Sequence, residues 1–116
     1  MAEININVID GIGVNKEQNA IWLLLCDYLE WDSEKAMKHS EHLFLLRKKI
    51  DAYVKFLEKR QYKDKYPNLE PVMKVIDIRF QYQFPETCEE FLQDVKKELG
   101  KSGIKLEIRT GWANCI

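Results

Sequence analysis

The stretch Lys74–Phe84, K-V-I-D-I-R-F-Q-Y-Q-F, decides the fold. Apolar side chains occupy every second position from Ile76 to Phe84, whereas the positions between them, after Val75, carry charged or amide groups. This alternation is typical of a strand in a sheet that is covered on one face only. The sequence therefore predicts a sheet with one buried face and one polar face.

A second segment, Ile104–Arg109, repeats the alternation, with apolar residues at even positions and charged residues at odd positions. If the two strands share a sheet, their charged side chains lie on the same face, which is either plain solvated surface or a place where another protein docks. Trp112 in the following tail adds a residue type that is enriched in binding hot spots. The predicted partner-binding residues are Asp77, Arg79, Glu107, Arg109 and Trp112.

Four strands and two helices are expected along the chain. The pattern predicts strands at Ile4–Ile9, Ala20–Leu29, Lys74–Phe84 and Ile104–Arg109, a long helix that begins near Asp32-Ser33-Glu34, and a second helix that begins at Pro85. The short connection around Asp10-Gly11 predicts an antiparallel hairpin of the first two strands. We therefore expect an α+β two-layer sandwich of order β-β-α-β-α-β, with a four-stranded, mostly antiparallel sheet and two helices on one face, forming a single domain over residues 1–116.

Length and composition are those of an ordinary globular domain. The chain has 116 residues, of which 46% are hydrophobic and 32% charged, and a net charge of −1. Charge is uneven, because Met1–Asp32 has one lysine and six acids whereas Ser33–Tyr66 has ten basic residues and five acids. We expect these two segments to pair internally. The balance argues against a nucleic-acid partner, and the lack of a long apolar run argues against a membrane-spanning segment.

No motif predicts catalytic residues, a cofactor or a metal. His39 and His42 lie three positions apart on the long helix, but zinc sites of the H-E-x-x-H type need a different spacing and a further ligand. Gly11 and Gly13 after Asp10 lack the remainder of a phosphate-binding motif and are expected to form a turn. A small enzyme or ligand-binding protein with a pocket near Asp10 and His39 or His42 remains the alternative hypothesis.

Cys88 lies at the start of the predicted second helix, where the helix dipole favours a thiolate. The acidic neighbours Glu86, Glu89 and Glu90 oppose that effect because like charges raise the pKa of the thiol. The sequence therefore predicts a thiol without nucleophilic function.

Four motifs together resemble a family of small bacterial proteins that is described only as a domain of unknown function. They are N-V-I-D-G-I-G at residues 7–13, D-Y-L-E-W at 27–31, H-L-F-L-L-R-K-K-I at 42–50 with Tyr53 and Phe56, and V-I-D-I-R-F-Q-Y at 75–82. The resemblance spans nearly the whole chain. It implies one compact domain and no particular activity, and small proteins of this sort are often immunity or accessory factors encoded beside toxins.

The leading functional hypothesis is therefore a non-enzymatic protein-interaction module, immunity-like or accessory, in the cytoplasm. Its partner is expected to be another protein or a second copy of the chain, because an exposed edge strand also permits a homodimer. The absence of a secretory signal pattern supports the expected location.

Overall fold

The computed structural model describes residues 4–111. The elements in chain order are β1 (Gly11–Asn15), β2 (Ala20–Asp27), α1 (His39–Glu58), a short 3-10 helix (Gln61–Asp64), β3 (Met73–Phe80), α2 (Glu86–Lys101) and β4 (Ile104–Thr110). The expected order of four strands and two long helices is confirmed. Neither helix in this described part of the chain is long and apolar enough to cross a lipid bilayer.

The four strands form one mixed sheet in the order β1-β2-β3-β4. Strands β1 and β2 pair antiparallel, as expected, but β2 with β3 and β3 with β4 pair parallel. The prediction of a mostly antiparallel sheet is therefore wrong. The physical reason is that α1 and α2 each carry the chain back along the sheet, so that the next strand starts at the same edge as the previous one.

Both helices pack on the same face of the sheet. Apolar residues of α1 and α2 line the sides that face the sheet, and Cys88 adds a buried thiol at the start of α2. Side chains of one parity from three strands meet them. The sheet residues in this core are Ile21, Leu23, Leu25, Ile76, Ile78, Phe80, Ile104 and Leu106. The expected two-layer arrangement is confirmed, and the alternate side chains of the same strands lie on the other face, which we call the helix-free face.

The first strand is displaced from its predicted position. Residues Ile4–Ile9 form a turn and irregular chain, in which the Asn5 side chain accepts a hydrogen bond from the backbone N–H of Asn7 at 3.0 Å. Asparagine competes in this way with strand pairing, and the apolar alternation did not account for it. The segment predicted as a connecting loop instead contains β1.

Two element boundaries also differ from expectation. Helix α1 begins at His39, not near Asp32, because the Asp32 carboxylate contacts the His39 ring at 3.0 Å and caps no helix. Strand β3 ends at Phe80 and not at Phe84 as predicted. Its neighbours β2 and β4 end at Asp27 and Thr110, which lie opposite Phe80. The predicted start of α2 after Pro85 is confirmed, and Gly103, with φ of 76°, provides the left-handed turn into β4.

Candidate partner-binding face

Four of the five predicted contact residues meet on the helix-free face. In the parallel register of β3 and β4, Asp77 lies opposite Glu107 and Arg79 lies opposite Arg109. Asp77 Oδ2 accepts hydrogen bonds from Arg79 Nη2 at 3.1 Å and Nε at 3.3 Å. Arg109 Nη2 lies 3.5 Å from Glu107 Oε2. The four charges therefore form one continuous group across the two strands.

Burial divides this group into an inner and an outer part. Asp77 is only 6% exposed, and its Oδ1 has no hydrogen-bond partner in the described chain. Arg109 Nε is 3.9 Å from that oxygen, which is too long for a hydrogen bond, and its side chain is 59% exposed. Asp77 Oδ1 is itself buried, so a donor from outside does not reach it in this arrangement, and the exposed Arg109 guanidinium lies beside it.

A shallow depression of about 300 Å³ adjoins this charged group. Half-buried Trp22 and Leu24 of β2 contribute apolar side chains to it, while Asp77 and Arg79 line one side. On the opposite side, residues 11–13 of β1 contribute two glycines. The depression thus combines an apolar surface with a charged border.

The glycines of β1 explain why the depression exists. Gly11 lies opposite Leu24 and Gly13 opposite Trp22 in the antiparallel register, so β1 places no side chain over either residue. A Cβ atom at Gly13 would meet only the Trp22 Cβ, at 3.9 Å, which is an ordinary contact. A Cβ at Gly11 would lie 3.3 Å from two Leu24 side-chain atoms, which is tight. A side chain at Gly13 would therefore fill the depression without a clash.

Trp22 and Leu24 are candidate contact residues that the sequence analysis missed. Residues 21–26 are apolar at both odd and even positions, so alternation alone did not show which side chains face outward. The signal was present, because the fixed alternation of strands places Trp22 and Leu24 on the opposite face from Leu23 once the core parity is known. Trp112, the fifth predicted contact residue, lies outside the described residues.

The buried polar residues of the helix-covered side form a separate cluster. His42 Nε2 and Asp27 Oδ2 are 2.6 Å apart, and both side chains are fully buried. Trp31 stacks on the His42 ring with centroids 3.5 Å apart. Asp27 Oδ1 also accepts the backbone N–H of Leu29 at 2.9 Å. This arrangement connects the end of β2 to α1 and leaves no surface for a ligand.

A second cluster forms around Asp10. Its carboxylate accepts hydrogen bonds from Lys49 Nζ at 3.0 Å and from the backbone N–H of Cys26 at 2.8 Å. The Tyr53 hydroxyl accepts the backbone N–H of Asp10 at 2.9 Å and donates to the Leu24 carbonyl at 2.6 Å. Burial raises the pKa of Tyr53 well above its ordinary value of 10.0. This cluster fastens the chain before β1 to helix α1.

The residues of the alternative enzyme or ligand hypothesis lie in different contacts. Asp10 pairs with Lys49, His42 with Asp27, and His39 with Asp32 and the Trp31 carbonyl. Five surface depressions found among residues 4–111 are lined by other side chains. Of these contacts, Asp10–Lys49 pairs an acid of the first third with a basic residue of the central segment, which is one instance of the internal charge matching expected from the sequence.

The thiol of Cys88 is fully buried. Burial, with smaller contributions from the Asp27 and Glu89 carboxylates, raises its pKa to about 12. It is therefore protonated at neutral pH, and burial contributes more to this than the acidic neighbours named from the sequence. Within residues 4–111, no three or more His, Cys, Asp or Glu side chains are grouped closely enough to hold a metal ion.

Comparison with known families shows to which family the chain belongs. It belongs to a family of unknown function, DUF6572, whose model matches residues 1–111. The match includes every strand and helix described above, and it confirms the resemblance to a domain of unknown function. No curated protein and no solved structure matches the chain.

Proposed function

We propose that this protein is a non-enzymatic interaction module that binds a partner protein through its helix-free face. The observation that carries the proposal is the depression beside the charged group, in which Trp22 and Leu24 are left uncovered by the glycines of β1. An apolar side chain of the partner would enter the depression, beside the Arg79 side chain that lines it.

Most of the free energy of protein–protein binding is carried by a few residues, the hot spots of the interface. Tryptophan and arginine are the residues most enriched in them, and they contribute most where the surrounding contacts exclude water. Trp22 and Arg79 border the same depression. Charges at the border, such as Arg109, would steer the partner and favour one orientation more than they would add affinity.

The biological role that we propose is that of an immunity or accessory protein in a bacterial cytoplasm. The support is the resemblance of its motifs to small bacterial proteins and the separation of its polar clusters into structural contacts. In such a role the protein acts by occupying a surface of its partner, which requires a shaped and charged face but no reactive group.

A binding comparison between three variants tests the proposal. The tagged wild-type chain, Gly13→Gln and the double variant Lys48→Glu/Lys97→Glu are used to capture proteins from an extract of the source cells, and captured proteins are quantified by mass spectrometry. Gly13→Gln fills the depression from β1. The double variant changes the charge by four units on exposed helical positions away from the helix-free face.

The proposal predicts a partner in stoichiometric amount that the wild type and the Lys48→Glu/Lys97→Glu variant capture and that Gly13→Gln loses. Circular dichroism and thermal unfolding must show that Gly13→Gln is folded. If Gly13→Gln captures the same proteins as the wild type, or if no variant captures any partner, the proposal is wrong.

A further inference from the structure

We infer that a second copy of this chain pairs with the free edge of β4, so that two sheets join into one across a two-fold axis. Strand β4 is the last strand of the sheet, and within residues 4–111 no strand pairs with its outer side. The seven residues of β4 therefore present a row of backbone N–H and C=O groups that another strand can bind. This inference is independent of the proposed function, which uses the face of the sheet and not its edge.

A groove of about 480 Å³ runs between this edge and α2. Helix α2 contributes Glu89, Gln93 and Lys96, which lie on one side of the helix because they are four and three positions apart. Strand β4 contributes residues 105–110. The groove is open along its length, so an added strand reaches the edge of β4 without displacing the helix.

The charges of β4 favour a second copy as the occupant. From Lys105 to Arg109 the signs of the charged residues alternate along the strand. An antiparallel copy centred on Leu106 places Lys105 opposite Glu107 of the second copy, and the two-fold axis produces the same pair again. Leu106 then lies opposite itself, and Ile104 lies opposite Ile108 of the second copy. Opposite charges face each other on one side and apolar residues on the other.

Helix α2 carries opposite charges on the side that lines the groove. Glu89 and Lys96 lie on either side of Gln93, whose side-chain amide donates a hydrogen bond to Glu89, so a two-fold axis that passes near Gln93 brings Glu89 towards Lys96 of the second copy. Lys96 and Lys105 form no ion pair with any other residue among those described, although both line the groove. The second copy supplies a carboxylate to each of them, and this is the main reason for choosing it over an unrelated peptide.

The charge pattern also excludes registers that are centred on a charged residue. A copy centred one residue further along, on Glu107, would place Glu107 opposite itself and Lys105 opposite Arg109, so that every charged pair would be repulsive. An edge with charges of one sign would repel a second copy in any register. The alternating signs of β4 thus permit pairing and restrict its alignment.

The test is the molar mass of the full chain in solution, measured by light scattering after size-exclusion chromatography at about 100 µM, where even weak dimers with micromolar dissociation constants are associated. We expect the mass of two chains for the wild type. Lys105→Glu, which converts two attractive cross-strand pairs into repulsive ones, should raise the dissociation constant at least about tenfold. The exchange Lys105→Glu/Glu107→Lys restores opposite charges and should restore the dimer.

Lys48→Glu, on the exposed side of α1, is the matched control and should leave the dimer unchanged. Lys96→Glu provides a second variant, on the helix, for the case that Lys105→Glu does not fold. A wild-type mass of one chain at this concentration overturns the inference. So does a dimer that persists in both Lys105→Glu and Lys96→Glu, because the copies would then associate through another surface.

Discussion

The polar residues on the two faces of the sheet differ in their burial and in their contacts. On the helix-covered side, Asp27 and His42 are fully buried, hydrogen-bonded to each other and stacked against Trp31. On the helix-free face, Asp77 is nearly buried but has an oxygen without a partner, and Arg109 beside it is mostly exposed. The first cluster is closed to solvent, although Trp31 Nε1 and His42 Nδ1 have no hydrogen-bond partner among the described residues, whereas the second lies at the surface.

This difference in exposure indicates which polar residues contribute most to stability. Breaking a buried hydrogen-bonded pair leaves an unpaired polar group in the interior, so the buried cluster holds the elements around it in place. The ion pairs of the helix-free face are partly exposed to water and contribute less to stability. Residue type alone does not separate the two clusters, since each contains an aspartate close to a nitrogen-bearing side chain. The Asp27–His42 distance is 2.6 Å and the Asp77–Arg79 distance is 3.1 Å.

The largest expected effect is the loss of the buried pair. Asp27→Ala removes the partner of His42 Nε2 and the acceptor for the Leu29 N–H, and we expect it to lower the free energy of unfolding by about 3 kcal/mol. Asp77→Ala leaves Arg79 able to reach water and should cost only about 1 kcal/mol. Urea unfolding of both variants measures the difference, and equal losses would show that the two faces do not differ in this respect.

The second effect is a loss of stability at alkaline pH that originates on the helix-covered side. In the folded protein the pKa of Cys88 is about 12, against an ordinary value of 9.0, and the pKa of Tyr53 is raised above 10.0. The unfolded chain therefore loses these protons first, so the stabilisation is complete below pH 9 and decreases as pH rises above it.

Thermal unfolding between pH 8 and pH 11 measures this dependence, and Cys88→Ala should make its slope smaller. Arg79→Gln on the helix-free face is the matched control and should leave the slope unchanged. An alkaline slope in Cys88→Ala as steep as in the wild type would contradict the assignment to the thiol.

The smallest effect concerns the two glycines of β1. Gly13→Ala adds a methyl group in ordinary contact with Trp22 and should stabilise the protein by about 0.5 kcal/mol, because alanine loses less backbone freedom on folding. Gly11→Ala places its Cβ 3.3 Å from Leu24 and should gain less or nothing. Unfolding midpoints of the two variants give the order, and a larger gain for Gly11→Ala would contradict the geometry of the depression.

Local periodicity was sufficient to predict the layers of the fold. The alternation in Lys74–Phe80 and in β4 predicted the two faces of the sheet. The spacing of apolar residues in α1 and α2 predicted the helices that cover one of these faces. Strand direction depends on where each helix returns the chain, which is a property of tertiary packing, and the antiparallel prediction was wrong for that reason. The Asn5 turn that displaced β1 is a local side-chain effect that an apolar pattern does not report.

The candidate site was predicted in part. The alternation predicted that four charged residues share one face, and in the structure ion pairs connect them. These residues are Asp77, Arg79, Glu107 and Arg109. The depression was missed because it depends on the register of β1 with β2, which sets Gly13 opposite Trp22. That register could not be derived while β1 was assigned to the wrong residues.

The central claim, that a partner binds the helix-free face, is tested most directly by hydroxyl-radical footprinting of the protein alone and in complex with its captured partner. Trp22 reports on the depression, and Phe44 of α1, which is 59% exposed, reports on the helical side of the molecule. The account predicts that the partner protects Trp22 from oxidation and leaves Phe44 reactive. Protection of Phe44 with unchanged oxidation of Trp22 would contradict it.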